Sequence, residues 1–151
     1  MLFHTHVLLG IVFFLVFGKL LGGGSSVVFF LLVLLGSIFP DIDERRSKMN
    51  RYSGFIGLII AFFFKHRGIF HSLIFAGVVS LILGYFWQAN YAYGFLLGYV
   101  AHLVGDGITR MGIKPFYPFS KFKVRGPLKV GGFVEGLILL MLGIGIVVYF
   151  I

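Results

Sequence analysis

The sequence contains no cysteine, which excludes disulfide scaffolds, thiolate metal sites and cysteine nucleophiles. Any metal ion must therefore bind through nitrogen or oxygen. Charged residues are also scarce: they make up 12% of the 151 residues, and only five residues are Asp or Glu. Hydrophobic residues reach 59% and the mean hydropathy is +1.03, far outside the usual range of water-soluble domains. These values exclude a soluble enzyme domain and predict an integral membrane protein.

Long apolar runs divide the chain into candidate membrane spans. A crossing needs about 20 apolar residues, and a shorter run, residues 52–64, has basic residues at both ends, so we expect a re-entrant or interfacial helix there. We expect a flexible turn at residues 22–26. Gly136, Gly143 and Gly145 would permit close approach of a neighbouring helix. The predicted fold is all-α, a polytopic membrane helix bundle of about five spans in one domain, residues 1–151. The predicted spans are residues 7–21, 27–39, 69–87, 91–109 and 132–151.

Basic residues decide the predicted orientation. The chain has 13 Lys and Arg, and all of them except Lys19 lie in residues 45–51, 65–67 and 110–129. Short loops rich in Lys and Arg remain in the cytoplasm, and these three loops share one side when the spans alternate. We therefore expect a multi-pass protein of the cytoplasmic membrane with a cytoplasmic amino terminus. Its positive loops should face anionic phospholipid headgroups, and no nucleic acid is expected as a partner.

The histidines and acidic residues gather at one end of the predicted spans. All five His and all five Asp or Glu lie near the cytoplasmic ends. His102 and Asp106 are four residues apart, so they share a helix face and can reach the same ion. Asp41 and Asp43 follow Pro40 where the chain leaves a helix, and a turn there can aim both carboxylates inward. Imidazoles and carboxylates from four or five segments suit zinc, manganese or iron and exceed what one tetrahedral ion uses, so we predict two or three divalent metal ions.

Four segments, in this order along the chain, resemble one protein family. They are residues 5–6 (Thr-His), 39–43 (Phe-Pro-Asp-Ile-Asp), 66–72 (His-Arg-Gly-Ile-Phe-His-Ser) and 98–109. Together with residues 115–118 and a late glutamate, they are similar to the YdjM-like family of membrane-bound predicted metal-dependent hydrolases. That family is thought to be distantly related to zinc-dependent phospholipase C and the P1-type nucleases. The metal ligands that the resemblance implies are His6, Asp41, Asp43, His66, His71, His102, Asp106 and Glu135.

The resemblance also implies a reaction, the hydrolysis of a phosphoester in a membrane lipid or lipid-linked substrate. Zinc is the expected metal, an activated water the nucleophile, and Asp43 the general base. Arg67 is placed to meet a phosphate with the two prongs of its guanidinium. Residues 116–125 interleave aromatic and basic side chains, as expected of a segment at the level of the lipid headgroups. The further predicted substrate contacts are Ser72, Thr109, Lys121 and Lys123.

Two other functions fit the same residues. A metal-ion transporter or metal sensor would also gather His and Asp, but a transporter needs polar groups near the membrane midplane. The outer halves of the predicted spans offer mainly Phe, Leu, Ile, Val and Gly. Alternatively, the protein is a non-catalytic membrane assembly protein whose glycine-rich helices bind partners. In that case the His and Asp residues have a structural role.

Overall fold

The computed structural model describes residues 1–22, 27–64 and 66–151. Over these residues the chain forms seven α-helices, two 3-10 helices and two isolated β-bridges, with no strand. The all-α prediction is therefore confirmed. The predicted turn at residues 23–26, and Lys65 of the basic flank, lie outside the described residues. The α-helices are α1 (Phe3–Phe17), α2 (Val27–Ile38), α3 (Lys48–Tyr52), α4 (Gly54–Phe63), α5 (Leu73–Phe86), α6 (Ala89–Gly107) and α7 (Phe133–Phe150).

Helix α1 differs most from its predicted span, residues 7–21. It begins four residues earlier, at Phe3, and ends four residues earlier, at Phe17. Hydropathy placed the start too late because His4 and His6 are polar but helical. The ends of α6 and α7 lie within two residues of the predicted ones. Apolar runs therefore predicted the positions of the helices, but they did not predict a first helical turn made of polar residues.

Two 3-10 turns lead the chain out of α2 and into α5. Phe39–Asp43 follows α2, because Pro40 has no amide hydrogen with which to continue the helical pattern. Ile69–His71 precedes α5, which therefore starts four residues later than predicted. The Ser72 hydroxyl caps α5 by accepting a hydrogen bond from the Phe75 amide, at 3.2 Å. Both turns bring polar side chains to the same end of the bundle.

Helix α6 lies at the centre of the bundle and packs against α1, α2 and α5. Its approach to α2 depends on a glycine from each helix. A Cβ on Gly98 would lie 1.9 Å from the Val33 carbonyl oxygen, and one on Gly36 would lie 2.2 Å from the Phe95 carbonyl oxygen. Neither position has room for a side chain, so the two backbones pack directly against each other.

The short apolar segment, residues 52–64, forms α4, and the five-residue helix α3 precedes it. With ten residues α4 is about 15 Å long, half of the bilayer's hydrocarbon thickness, and it cannot cross. Buried Asn50 fixes the segment to the bundle, because its Nδ2 donates to the carbonyls of Ile42 and Gly57 at 2.5 and 2.6 Å. The side chains of Phe55 and Phe62 on α4 are exposed. The segment is thus a short helix as expected, and its depth in the bilayer stays a prediction.

Helix α7 packs chiefly against α1 and is otherwise exposed. A Cβ on Gly136, Gly143 or Gly145 would meet nothing within 4 Å in the described part of the chain. The close helix approach that these glycines would permit is therefore not made with the described residues of this chain. Among the described residues, α7 is also the one helix long and apolar enough to cross a membrane. The predicted number of about five spans stays a prediction.

The connection between α6 and α7 folds back over the polar end of α6. Ile113 and Val124 form an antiparallel bridge with reciprocal hydrogen bonds of 2.8 and 3.0 Å, and Thr109 bridges Leu128. Gly112 has a φ of 64°, and a Cβ there would lie 2.2 Å from the Val124 carbonyl oxygen. This residue must therefore be glycine for the loop to close in this way. The bridges hold the basic residues of the loop beside the bundle.

Candidate metal centre

Helices α1 and α6 and the two 3-10 turns deliver imidazoles and carboxylates to one region at the polar end of the bundle. The side chains of His6, His71 and His102 have no exposed surface, and Asp43 and Asp106 are also buried. Buried ionisable groups are costly unless they are paired or bind a cation. We call this set the His/Asp cluster. Its members are His6, Asp41, Asp43, His66, His71, His102 and Asp106.

Four of these side chains converge at the centre of the His/Asp cluster. The Nε2 atoms of His71 and His102 are 3.2 Å apart. Asp106 Oδ2 lies 3.5 Å from the His71 Nε2 and 3.8 Å from the His102 Nε2. Asp41 Oδ1 lies 3.8 and 3.9 Å from the same two nitrogens. A tetrahedral zinc ion with bonds of about 2.0 to 2.1 Å holds its ligands about 3.3 Å apart, so the spacing of His71, His102 and Asp106 is close to that of three ligands of one ion, with Asp41 beside them.

His6 lies beside this centre with its ring stacked on that of His102. The ring centroids are 3.8 Å apart and the planes are inclined by 11°. Its Nε2 is 3.4 Å from Asp106 Oδ1, but neither ring nitrogen has a hydrogen-bond partner among the described residues. His102 differs, because its Nδ1 is 2.8 Å from the Ser37 carbonyl oxygen, which leaves Nε2 as the free ligand atom.

A second carboxylate, Asp43, holds two histidines. Its Oδ1 lies 2.8 Å from the His66 Nδ1, its Oδ2 lies 3.3 Å from the His71 Nδ1, and the Arg67 amide donates to Oδ2 at 3.2 Å. Burial alone would raise the pKa of Asp43, but the hydrogen bonds from His66 and His71 outweigh burial and lower it. For Asp41 burial prevails over His6 and His71, and the pKa is raised. The pKa values of the two aspartates in this turn are therefore shifted in opposite directions.

Potential ligand atoms form three groups, each lying within 4.8 Å. His71 and His102 each belong to two of the groups, so the groups overlap into one extended site. The donors are nitrogen and oxygen only, which suits zinc, manganese or iron. The residues present therefore fit divalent metal ions. The three groups are His6, Asp41 and His102; Asp43, His66 and His71; and His71, His102 and Asp106.

Arg67 lies against the His/Asp cluster, as its position between two histidines predicted. Its Nη2 is 2.8 Å from Asp106 Oδ2. Its Nη1 donates to the Thr109 hydroxyl and to the Gly112 carbonyl, both at 2.9 Å. The buried Nε has no partner among the described residues. Two of the three guanidinium nitrogens thus hold the site together, and Nε keeps a free donor.

Glu135 is buried at the start of α7 but does not belong to any of the three groups. One carboxylate oxygen accepts a hydrogen bond from the Leu2 amide and the other accepts one from the Gly131 amide, both at 2.6 Å. The Met1 amino group pairs in turn with Asp106. The ligand role implied for Glu135 stays a prediction, and the described contacts show a carboxylate that fastens α7 to the start of the chain.

The family model for the YdjM inner membrane proteins matches residues 1–150. The chain belongs to this family. YvsG of Bacillus subtilis, named as an uncharacterized protein, is 34% identical over 119 residues, which is 77% of this chain and 74% of that protein. The inner membrane protein YdjM of Escherichia coli is 33% identical over 103 residues, 64% of this chain and 52% of that protein, so the match spans about half of that relative's length. No solved structure matches the chain.

Membership in the YdjM family agrees with the membrane location that the composition predicted. The names of the two relatives state no enzymatic activity. Hydrolysis, the likeness to phospholipase C and P1-type nucleases, and the number and identity of the metal ions therefore stay proposals. The family membership supports the membrane location, whereas only the cluster geometry bears on ligand binding.

The predicted substrate contacts have different positions in this YdjM-family chain. Ser72 is fully buried and caps α5, so its hydroxyl is already used. Buried Thr109 accepts from Arg67 and donates to the Asp106 carbonyl at 2.7 Å, so it positions Arg67. Lys121 and Lys123 are both exposed, and Lys123 also lines a cleft beside Arg67.

Two residues of that cleft, Lys114 and Tyr117, had no predicted substrate contact. Both lie in the loop after α6 and line the same cleft as Lys123. Sequence spacing gives no sign of this arrangement, because it depends on the Ile113 and Val124 bridge. The signals in the sequence were the basic residues of 110–129, which orientation alone explains, and the interleaved aromatic and basic residues of 116–125, which include Tyr117.

Proposed function

We propose that this protein is a membrane-embedded, metal-dependent hydrolase that cleaves a phosphoester of a lipid or lipid-linked substrate. The observation that carries the proposal is the fully buried His6 imidazole: neither ring nitrogen forms a hydrogen bond among the described residues, and Nε2 lies 3.4 Å from Asp106 Oδ1. A buried polar group without a hydrogen bond costs about 1 to 3 kcal/mol. A cation bound among His6, Asp41 and His102 removes that cost, and the carboxylates compensate its charge.

Two or three divalent ions, with zinc expected before manganese or iron, match the three overlapping groups. When bound there, such ions supply an activated water and hold phosphoryl oxygens. A phosphoesterase needs more than such a metal centre. The chain must also provide a proton acceptor and a contact for the phosphate. The residues around the His/Asp cluster offer both.

We assign the proton acceptor to Asp41 rather than to Asp43, the general base expected from the sequence. The His66 ring and the Arg67 amide hold the Asp43 carboxylate, His71 Nδ1 lies 3.3 Å from it, and its pKa is lowered despite burial, which makes it a weak base that orients His66 and His71. Asp41 is 15% exposed and lines the cavity beside the His/Asp cluster. Its Oδ1 faces the imidazoles, so Oδ2 remains to accept a proton.

Arg67 is the proposed contact for the phosphate. Its terminal nitrogens fix Asp106 and Thr109, while the unpaired Nε can donate to a phosphoryl oxygen. The residue also holds a φ of 58°, which is unfavourable for a side chain of this size. Unfavourable backbone conformations of this kind cluster at functional sites, where the surrounding structure holds the side chain in position despite the strain.

The proposed location is the cytoplasmic face of a multi-pass protein. The basic loops around residues 45–51 and 110–129 lie at the same end as the His/Asp cluster, and the turn between α5 and α6 lies at the other end. Single cysteines at Ser47 and Asn90 should therefore react with a membrane-impermeant reagent from opposite sides. Reaction of both from the same side would contradict this topology.

The proposal is tested by measuring metal content and hydrolysis on the same preparation. The protein, purified in detergent without a histidine tag, is expected to retain at least two zinc ions per chain and to hydrolyse lipid phosphoesters in mixed micelles. His102→Ala removes a central ligand and should abolish both properties. His4→Ala is the matched control, because His4 is exposed on the same side of the bundle and contacts Lys48; it should keep both.

Fewer than one ion per chain, or full activity after chelation, would contradict the proposal. Zinc flux into proteoliposomes that depends on His102, without hydrolysis of any lipid phosphoester, would instead identify a transporter. Metal retention with neither flux nor hydrolysis would favour the structural, assembly role.

A further inference from the structure

A basic cleft adjoins the His/Asp cluster on the side of the loop after α6. It has a volume of about 390 Å³, and its charged lining residues are Arg67, Lys114 and Lys123, with His66 and Tyr117 beside them. No Asp or Glu belongs to this lining among the described residues. A second cavity of about 400 Å³ contains Asp41 and shares the His66 and Arg67 wall with the cleft. A molecule with two anionic groups can therefore occupy both sides of that wall.

The bridge in this loop brings the two lysines into the same cleft. Ile113 and Val124 exchange both backbone hydrogen bonds in an isolated antiparallel bridge, and Lys114 follows Ile113 while Lys123 precedes Val124. Both lysines line the basic cleft. Two positive charges that share a cleft repel each other. An anion bound between the two ammonium groups would replace this repulsion by attraction.

Neither lysine is neutralised by the protein. Among the described residues, Lys114 and Lys123 form no ion pair with a carboxylate, whereas Arg67 pairs with Asp106. The Lys114 ammonium is instead 5.9 Å from the centre of the Tyr117 ring. The cleft thus offers two free positive charges and a phenol hydroxyl, which match the charge and acceptor oxygens of a phosphate group.

We propose that Lys114, Lys123 and Tyr117 form a second anion subsite, which makes the substrate a lipid diphosphate. One phosphoryl group lies in the basic cleft and the linked one reaches the His/Asp cluster past Arg67. The assignment of the bound molecule as a substrate rests on the proposed hydrolase function. The subsite itself needs no hydrolysis, so its binding can be measured separately.

The experiment uses the full chain in uncharged detergent with its bound metal retained. Calorimetric titrations with inorganic diphosphate, inorganic phosphate and an alkyl diphosphate are compared. We expect diphosphate to bind at least tenfold more tightly than phosphate, and the alkyl diphosphate to bind still more tightly if the lipid-linked form is the natural one. Equal binding of the two diphosphates would assign the subsite to a free diphosphate.

Lys114→Gln and Lys123→Gln should each weaken diphosphate binding about tenfold, since one charge-assisted hydrogen bond contributes about that much. Lys114→Arg and Lys123→Arg keep the charge and should retain most of the affinity, which separates loss of contact from loss of fold. Lys129→Gln is the matched control, because this exposed residue of the same loop is absent from the cleft lining.

Two results would overturn the subsite. One is equal affinity for phosphate and diphosphate, and the other is equal weakening by Lys129→Gln, which would show only a diffuse attraction between a positive loop and anions. Diphosphate binding without any hydrolysis would keep the subsite and contradict the proposed function. Hydrolysis of a lipid monophosphate without diphosphate binding would keep the proposed function and contradict the subsite.

Discussion

Helices α6 and α7 have nearly the same length, 19 and 18 residues, but opposite surroundings. Twelve residues of α6 are buried, including His102 and Asp106, whereas Glu135 is the only buried residue of α7. Even so, α7 is the helix that meets the length and hydropathy expected of a membrane span within the described chain. Of these two helices, the one that looks more like a membrane span is thus the one less involved in the bundle.

The difference between α6 and α7 follows from what surrounds each helix. A helix that faces lipid must be apolar on every side, because lipid offers no partner for a polar group. A helix surrounded by protein can instead use small residues for close packing and polar residues for a site. Of these two helices, α6 therefore has the lower hydropathy and carries residues of the His/Asp cluster. Helix α7 has the higher hydropathy and lies on the outside.

The largest effect is expected at a glycine of α6. Gly98→Val forces a side chain against the Val33 carbonyl oxygen, which would lie 1.9 Å from the new Cβ, and backbone cannot yield as a flexible side chain does. We expect loss of the monodisperse folded protein in size-exclusion chromatography. Gly143→Val on α7, where a Cβ meets nothing within 4 Å among the described residues, should leave elution and thermal midpoint unchanged. The reverse ranking would show that α7 is the packed helix.

Asp106→Asn should have the next largest effect. This change leaves Arg67 buried without its charged partner, and breaking a buried ion pair costs about 3 to 5 kcal/mol. Thermal unfolding of the metal-free protein should show the destabilisation, and metal analysis of the untreated protein should show fewer ions per chain. Unchanged metal content would remove Asp106 from the ligand set.

Arg67→Lys tests whether the residue beside α6 acts on a substrate as well as on Asp106. Lysine keeps the charge but loses the fork that reaches Thr109 and Gly112. We expect metal content to be retained and lipid phosphoester hydrolysis to fall by about one to three orders of magnitude. Loss of metal together with activity would show that Arg67 acts only by positioning Asp106.

Glu135→Gln should have the smallest effect. The amide retains one acceptor oxygen, so one of the two bonds to the Leu2 and Gly131 amides survives. Loss of the other should cost about 1 kcal/mol in unfolding free energy, with metal content unchanged. A fall in bound metal would establish Glu135 as the ligand that the family resemblance implied, and α7 would then belong to the site.

The sequence by itself determined the membrane class, the all-helical fold and the approximate places of the long helices. These properties follow from composition and from apolar runs, which act over neighbouring residues. It also indicated that the His and Asp residues gather at one end of the bundle. Helix starts such as those of α1 and α5 were placed less well, because capping by Ser72 and polar first turns are only weakly visible in hydropathy.

Only the tertiary structure decided which of these residues meet. The Nε2 atoms of His71 and His102 are 3.2 Å apart although the residues are 31 positions apart in sequence, and Lys114 and Lys123 share a cleft beside the Ile113–Val124 bridge, which no local pattern predicts. The same holds for the glycines, since Gly98 is closely packed and Gly143 is open. Such contacts depend on how whole helices pack, and packing is set by the shapes of distant segments together rather than by any one of them.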